Sequence, residues 1–108
     1  MARFKFKGST TEDVEEELEK LCTMDVIEIP LNHIVKVVSV IGVEQVIGQN
    51  TGSMVRFWHP DVETPSHFFG VHKVHKGKGE ELVIKRNFKQ YMMPYLRTII
   101  AKRKAKGI

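Results

Sequence analysis

Apolar and polar residues alternate along this chain with a period that changes several times, and each change predicts an element. Residues 3–7 alternate strictly, with Phe4 and Phe6 on one face and Arg3, Lys5 and Lys7 on the other. That is the pattern of a short strand or of a frayed terminus. From residue 9 the period becomes helical. Ser9 or Thr10, followed three residues later by Glu12 or Asp13, offers a capping box, and Val14, Leu18, Leu21 and Cys22 then fall on one helical face. Glu15, Glu16, Glu17 and Glu19 fill the remainder of that helix, an acidic surface expected to be solvated or, as the alternative, to dock on the basic half. The early acids also suit the positive end of the helix dipole.

A short apolar run, residues 26–29, ends at Pro30. Residues 31–41 read as a second helix, begun by Pro30 or Asn32 and stopped by Gly42, although their β-branched run would also suit a strand. Its apolar positions lie nearly all round, which predicts a central place in the core. His33, near its start, reads as a surface or capping residue. Three strand-like runs follow at 43–47, 53–58 and 68–74. In the second, Val55 and Phe57 face one side and Met54, Arg56 and Trp58 the other. A basic tip at residues 75–79 leads to Leu82-Val83-Ile84, which either extends this hairpin or enters a helical turn near Phe88. Residues 93–104 form a last helix, opened by Pro94 and buried through Leu96, Ile99 and Ile100.

Strands in succession with short turns pair antiparallel. The order therefore predicts an α+β fold, a three-stranded antiparallel sheet with helices packed on one face. The other face stays open and carries Arg56 and Trp58. The 108 residues suffice for one domain with one modest core.

Charge changes the picture most. The net charge is +4, but residues 1–50 carry 5 Lys and Arg against 9 Asp and Glu, and residues 51–108 carry 12 against 4. A basic half of this kind is the footprint of a polyanion partner, or else a surface that keeps the protein in solution. No run of about 18 apolar residues predicts a membrane span, and the first residues lack the apolar segment of a secretory signal. Cys22 has no second cysteine to pair with. The expectation is thus a cytoplasmic protein without a disulfide. Cys22 also lies on an apolar helical stripe, where core packing is the expected role rather than nucleophilic chemistry.

Several chemistries have no pattern to carry them. There is no paired CxxC for zinc, no Gly-rich phosphate loop, and no Ser/His/Asp set with diagnostic spacing. No cofactor or metal is expected. Histidines are the main candidates, since His59, His67, His72 and His75 cluster in one stretch. Histidine exchanges a proton near neutral pH, and RNA supplies its own nucleophile in the 2′-hydroxyl, needing only a base and an acid. His72 and His75 stand among lysines, but three residues apart on a strand they point to opposite faces unless the strand ends between them. Trp58 is a candidate for stacking on bases, Tyr95 for packing at the helix start.

The run Gly52-Ser53-Met54-Val55-Arg56-Phe57 followed by His59-Pro60, then His72-x-x-His75, then Met93-Pro94-Tyr95-Leu96-Arg97 opening a terminal helix, resembles the HicA-type toxins of HicA–HicB toxin–antitoxin systems. The resemblance covers residues 30–104, with 1–29 as an N-terminal extension and 105–108 as a tail. It implies a fold like a double-stranded-RNA-binding domain, metal-independent cleavage of messenger RNA, and a HicB-like antitoxin as partner. The family's catalytic histidine follows Gly-Ser, and here that place is Met54. A thioether moves no protons. Either His72 or His75 takes over as acid and base, or the chain binds RNA without cutting it. On either reading Arg56, Trp58, Lys73, Lys76 and Lys78 are the expected RNA contacts. A third reading, from a different class, is a regulatory domain that self-associates through its charge asymmetry.

Overall fold

A computed structural model describes residues 4–47, 52–76 and 79–108, with only the backbone of Lys76. Residues 4–9 have no regular structure, so the expected N-terminal strand does not form within the described part of 3–7. The alternation there still has an effect. Phe6 is buried, and the Phe4 ring lies 5.4 Å from that of His33.

Helix α1 spans Thr11–Thr23 and starts with the capping box Thr10–Asp13. The Asp13 carboxylate accepts from the Ser9 and Thr10 amides, and these bonds hold its pKa below the usual carboxylate value. A three-residue strand β1, Glu28–Pro30, leads directly into α2, Leu31–Ser39. Gly42, at φ +84°, ends the turn after α2 in a conformation that favours glycine. Then come β2 (Glu44–Gln45), β3 (Met54–Trp58), β4 (Phe68–His72), β5 (Val74–Lys76) and β6 (Glu80–Ile84). Helices α3 (Lys85–Tyr91) and α4 (Met93–Ala105) close the chain, α4 with Pro in its first turn.

The fold is α+β, with four helices and two three-stranded antiparallel sheets among the described residues. One sheet, β2-β3-β4, is the expected one. The other, β1-β6-β5, corrects the expectation of a single sheet. The third predicted strand, 68–74, does not run straight through. It ends at His72, and after Lys73 the chain resumes as β5 with a different neighbour, pairing with β6 instead of β3. The residues 26–29 contribute the edge strand β1, with Ile29 opposite Val83. Pro30 fits there because an edge strand has a side that needs no donor.

One core joins all these elements. Val14, Leu18 and Leu21 of α1, Ile34 and Val38 of α2, Phe57 of β3, Val83 of β6, Phe88 of α3 and Leu96 and Ile99 of α4 are wholly buried and belong to one cluster. The Phe57 and Phe69 rings stack at 5.7 Å and Phe69 stacks on Tyr95 at 5.2 Å, tying the β3-β4 ladder to α4. Tyr95 packs as expected, and Cys22 is buried.

His33 is not a surface residue. It is 6% exposed, and its Nε2 lies 2.7 Å from a carboxylate oxygen of Glu17, itself 8% exposed. The two close α1 against α2. The acidic surface of α1 is likewise not simply solvated: Glu19 pairs with Arg97 at 3.3 Å and Glu15 with Lys104, both on α4. Deleting the Glu17 carboxylate leaves a buried imidazole without its partner, which costs about 1–3 kcal/mol. Glu17→Ala should therefore lower stability by about that much in urea unfolding. Replacing Glu17 and His33 together by Leu should cost less than the two single changes added, since neither polar group is then left alone.

Candidate nucleic-acid interface

Strand β3 alternates in burial. Val55 and Phe57 point into the core, and Met54, Arg56 and Trp58 stand half-buried on the opposite face. Residues directly opposed across an antiparallel ladder share a face. The register of β3 with β4 sets Met54 against His72, Arg56 against Gly70, and Trp58 against Phe68. On the other side of β3, Glu44 of β2 opposes Trp58. The open face of this sheet thus has an imidazole end at His72, Arg56 at its middle, and an aromatic end at Trp58 and Phe68.

Gly70 shapes the middle of the face. A Cβ there would lie 2.6 Å from the Val55 carbonyl oxygen and 3.0 Å from the Met54 sulfur. No side chain fits without moving backbone, so Met54 leans over β4 where a larger residue would exclude it.

His72 is exposed, and its Nδ1 lies 2.8 Å from the Ser53 hydroxyl. A serine hydroxyl donates or accepts, so it supports either tautomer while leaving Nε2 for another partner. The Lys73 amide donates to the Ser53 carbonyl at 2.9 Å, which carries the ladder one step past β4 and ties Ser53 to this strand twice.

His75 belongs elsewhere. It opposes Glu81 in the β5-β6 register, with Nε2 3.8 Å from the carboxylate. Lys73 reaches the same oxygen at 2.6 Å, and that bond holds the Glu81 pKa below its ordinary value. The strand does end between His72 and His75, but the change of partner separates them: His72 joins Ser53 and Met54, and His75 joins Lys73 and Glu81. The side chain of Lys76 and the whole of Lys78 lie outside the described residues.

The cationic cluster of α4 is engaged within the protein. Besides Arg97 and Lys104, Arg103 donates to the Thr11 hydroxyl at 2.9 Å and Lys102 to the Asp61 carbonyl at 3.3 Å. Among the described residues, no group of three His, Cys, Asp or Glu side chains is placed to hold a metal ion. No helix among them is long and apolar enough to cross a membrane.

Two histidines of the cluster have roles that spacing did not reveal. His59 is buried; its Nε2 donates to the Ile41 carbonyl at 3.1 Å and its Nδ1 accepts from the Asp61 amide at 3.1 Å. It fastens the loop after β3 to the end of the α2 turn. His67 sits edge-on to Trp58, with ring centroids 6.4 Å apart. Ser66 and His67 both have φ of 62°, the left-handed region, which costs about 1–3 kcal/mol for each such residue. His67 counted in the sequence only as one of four clustered histidines and Phe68 was not singled out, because their place beside Trp58 depends on this loop and on the register.

Burial lowers the His59 pKa, outweighing the opposite pull of Asp61. The unfolded chain then binds more protons than the folded one between the depressed folded value and the ordinary one, so stability rises with pH in that window. Acidification from neutrality through the ordinary histidine range should lower the urea midpoint, with the effect complete at the folded pKa. In NMR the His59 ring should titrate below ordinary histidine, and a midpoint above it would contradict the burial argument. No family model, curated protein or solved structure matches the chain.

Proposed function

We propose that the open face of the β2-β3-β4 sheet binds RNA, and that the protein is a metal-independent endoribonuclease of HicA type with His72 as its acid–base group. One observation carries this reading. His72 stands directly across the ladder from Met54, the place where the family carries its histidine, with Ser53 at its Nδ1. The succession α2, β2, β3, β4, α4 supports the likeness to a double-stranded-RNA-binding domain, to which α1, β1, β5, β6 and α3 are additions. A HicB-like antitoxin as partner belongs to the same proposal.

The chemistry asks little of the protein. His72 takes the proton of a 2′-hydroxyl, whose oxygen attacks the adjacent phosphorus. The P–O5′ bond breaks, leaving a 2′,3′-cyclic phosphate and a 5′-hydroxyl once the departing oxygen is protonated. Arg56, two residues along the same face, offsets the charge that develops on the phosphoryl oxygens. The other reading, a module that binds RNA without cutting it, is favoured by a separate observation: His75 is turned to Glu81, away from His72. His72 then has to act in both proton transfers in turn.

The test is a labelled single-stranded RNA incubated with the protein in EDTA and scored for cleavage and retarded mobility together. His72→Ala should lower the cleavage rate by about 10²-fold or more while retardation persists, and His75→Ala should cut at nearly the wild-type rate. Met54→His in the His72→Ala background should restore part of the rate. Retardation without cleavage by wild type would establish the binding module instead. Neither signal would leave a protein partner as the target of this face.

A further inference from the structure

The aromatic end of the open face is built as a site of its own. Trp58 and Phe68 oppose each other directly in the ladder and both are only half-buried, so part of each ring is left at the surface. The exposed His67 ring stands against the indole at 84°, an edge-to-face arrangement that walls one side of it. His67 Nδ1 lies 2.8 Å from the Val62 carbonyl, which only accepts; Nδ1 is therefore the donor, and the neutral ring offers Nε2 as an acceptor. The turn that presents this ring is fastened by the His67 amide on the Thr64 carbonyl at 3.0 Å and the His59 amide on the His67 carbonyl at 3.3 Å. Two consecutive left-handed residues without glycine are thus kept in place, and what they hold up is a ring beside Trp58.

We propose that Trp58, Phe68 and His67 form a subsite for one unstacked nucleobase; the proposal rests on the RNA reading of this face. A base offers what these groups take: a flat π-face for the exposed rings and hydrogen-bond donors at its edge for Nε2. Arg56 lies between this end and His72 on the same face, where a backbone joining the two would pass. The register also says which nucleotide is held. Trp58 lies four residues from Met54, the partner of His72, which is about 13 Å at roughly 3.3 Å per residue. That exceeds the reach of a base from the phosphate of its own nucleotide. The base at Trp58 therefore belongs to a flanking nucleotide and not to the one whose phosphate His72 reaches. The subsite selects and anchors substrate without touching the reacting atoms.

Trp58 is the sole tryptophan of the chain, so its fluorescence reports this place alone. The probe is a short oligoribonucleotide with 2′-O-methyl riboses, which keeps bases and phosphates but has no attacking hydroxyl. Its binding is followed independently by the anisotropy of a terminal label. Saturable quenching of Trp58, absent with an abasic ribose-phosphate oligomer of the same length, is the expected result. By anisotropy, Trp58→Ala should bind at least about five-fold more weakly, and Trp58→Phe, which keeps a ring, should recover most of the loss. For cleavable RNA the same variants should raise KM more than they lower kcat. Binding without any change in Trp58 fluorescence would overturn the subsite and leave the RNA reading intact, as would equal quenching by the abasic oligomer. Quenching without cleavage would uphold the subsite and remove the nuclease. Absence of binding by anisotropy would overturn both.

Discussion

The pairing of β3 with β4 in one register is the constraint from which the proposed RNA-binding face follows. Val55 and Phe57 must be buried, and a strand has a period of two, so Met54, Arg56 and Trp58 have no choice but the other face. A slip of one residue would put Arg56 in the core and Phe57 in water, so the register is held by the whole apolar cluster behind it. On β4, burial of Phe69 and Val71 turns Phe68, Gly70 and His72 outward by the same rule. The stacking of Phe57 on Phe69 and of Phe69 on Tyr95 pins the ladder to α4. His72 and Trp58 are thus placed by residues buried behind the sheet.

Electrostatics divides the basic half in two. In the sequence, the lysines and arginines of α4 count toward the basic half just as those of the strands do. In the fold, Glu15 and Glu19 of α1 face Lys104 and Arg97, and Arg103 and Lys102 are spent on Thr11 and the Asp61 carbonyl. Each exposed pair is worth little in stability, but together they dull the field of α4 toward a phosphate chain. Lys73 is held by Glu81 in the same way on the second sheet, so an anion that takes Lys73 has to displace that carboxylate.

Helices α1, α2 and α4, the β3 alternation and the capping box were legible because each rests on contacts a few residues apart. The period of α1 is carried by Val14, Leu18 and Leu21, and its start by Thr10 and Asp13. What was not legible depends on residues distant in the chain. Strand β1 is too short to have a period, and it exists because Ile29 meets Val83. His33 is buried because Glu17 of another helix is there to meet it. Among the four clustered histidines the lysines around His72 and His75 single out those two, but nothing nearby in the sequence separates one from the other. His59 goes to the core through Ile41 and Asp61, His75 to Glu81, and His67 to Trp58 through a left-handed turn that neither Ser66 nor His67 announces.

On the ribonuclease proposal, the relation of Met54 to His72 bears on how an acid–base group could change strands without losing its site. Directly opposed residues of an antiparallel pair have Cβ atoms about 4.5–5.5 Å apart, so an imidazole on β4 at this position covers nearly the same surface as one on β3. On that proposal the phosphate, and the arginine beside it, need not move. The hydroxyl at Ser53 adjoins Met54 in sequence yet lies within hydrogen-bond distance of the ring opposite. Gly70 makes room for the thioether that remains, so Met54 folds over β4 and does not have to project into the space a substrate would take. A site described by its face and its register would survive such an exchange, whereas one described by a sequence motif would lose its histidine.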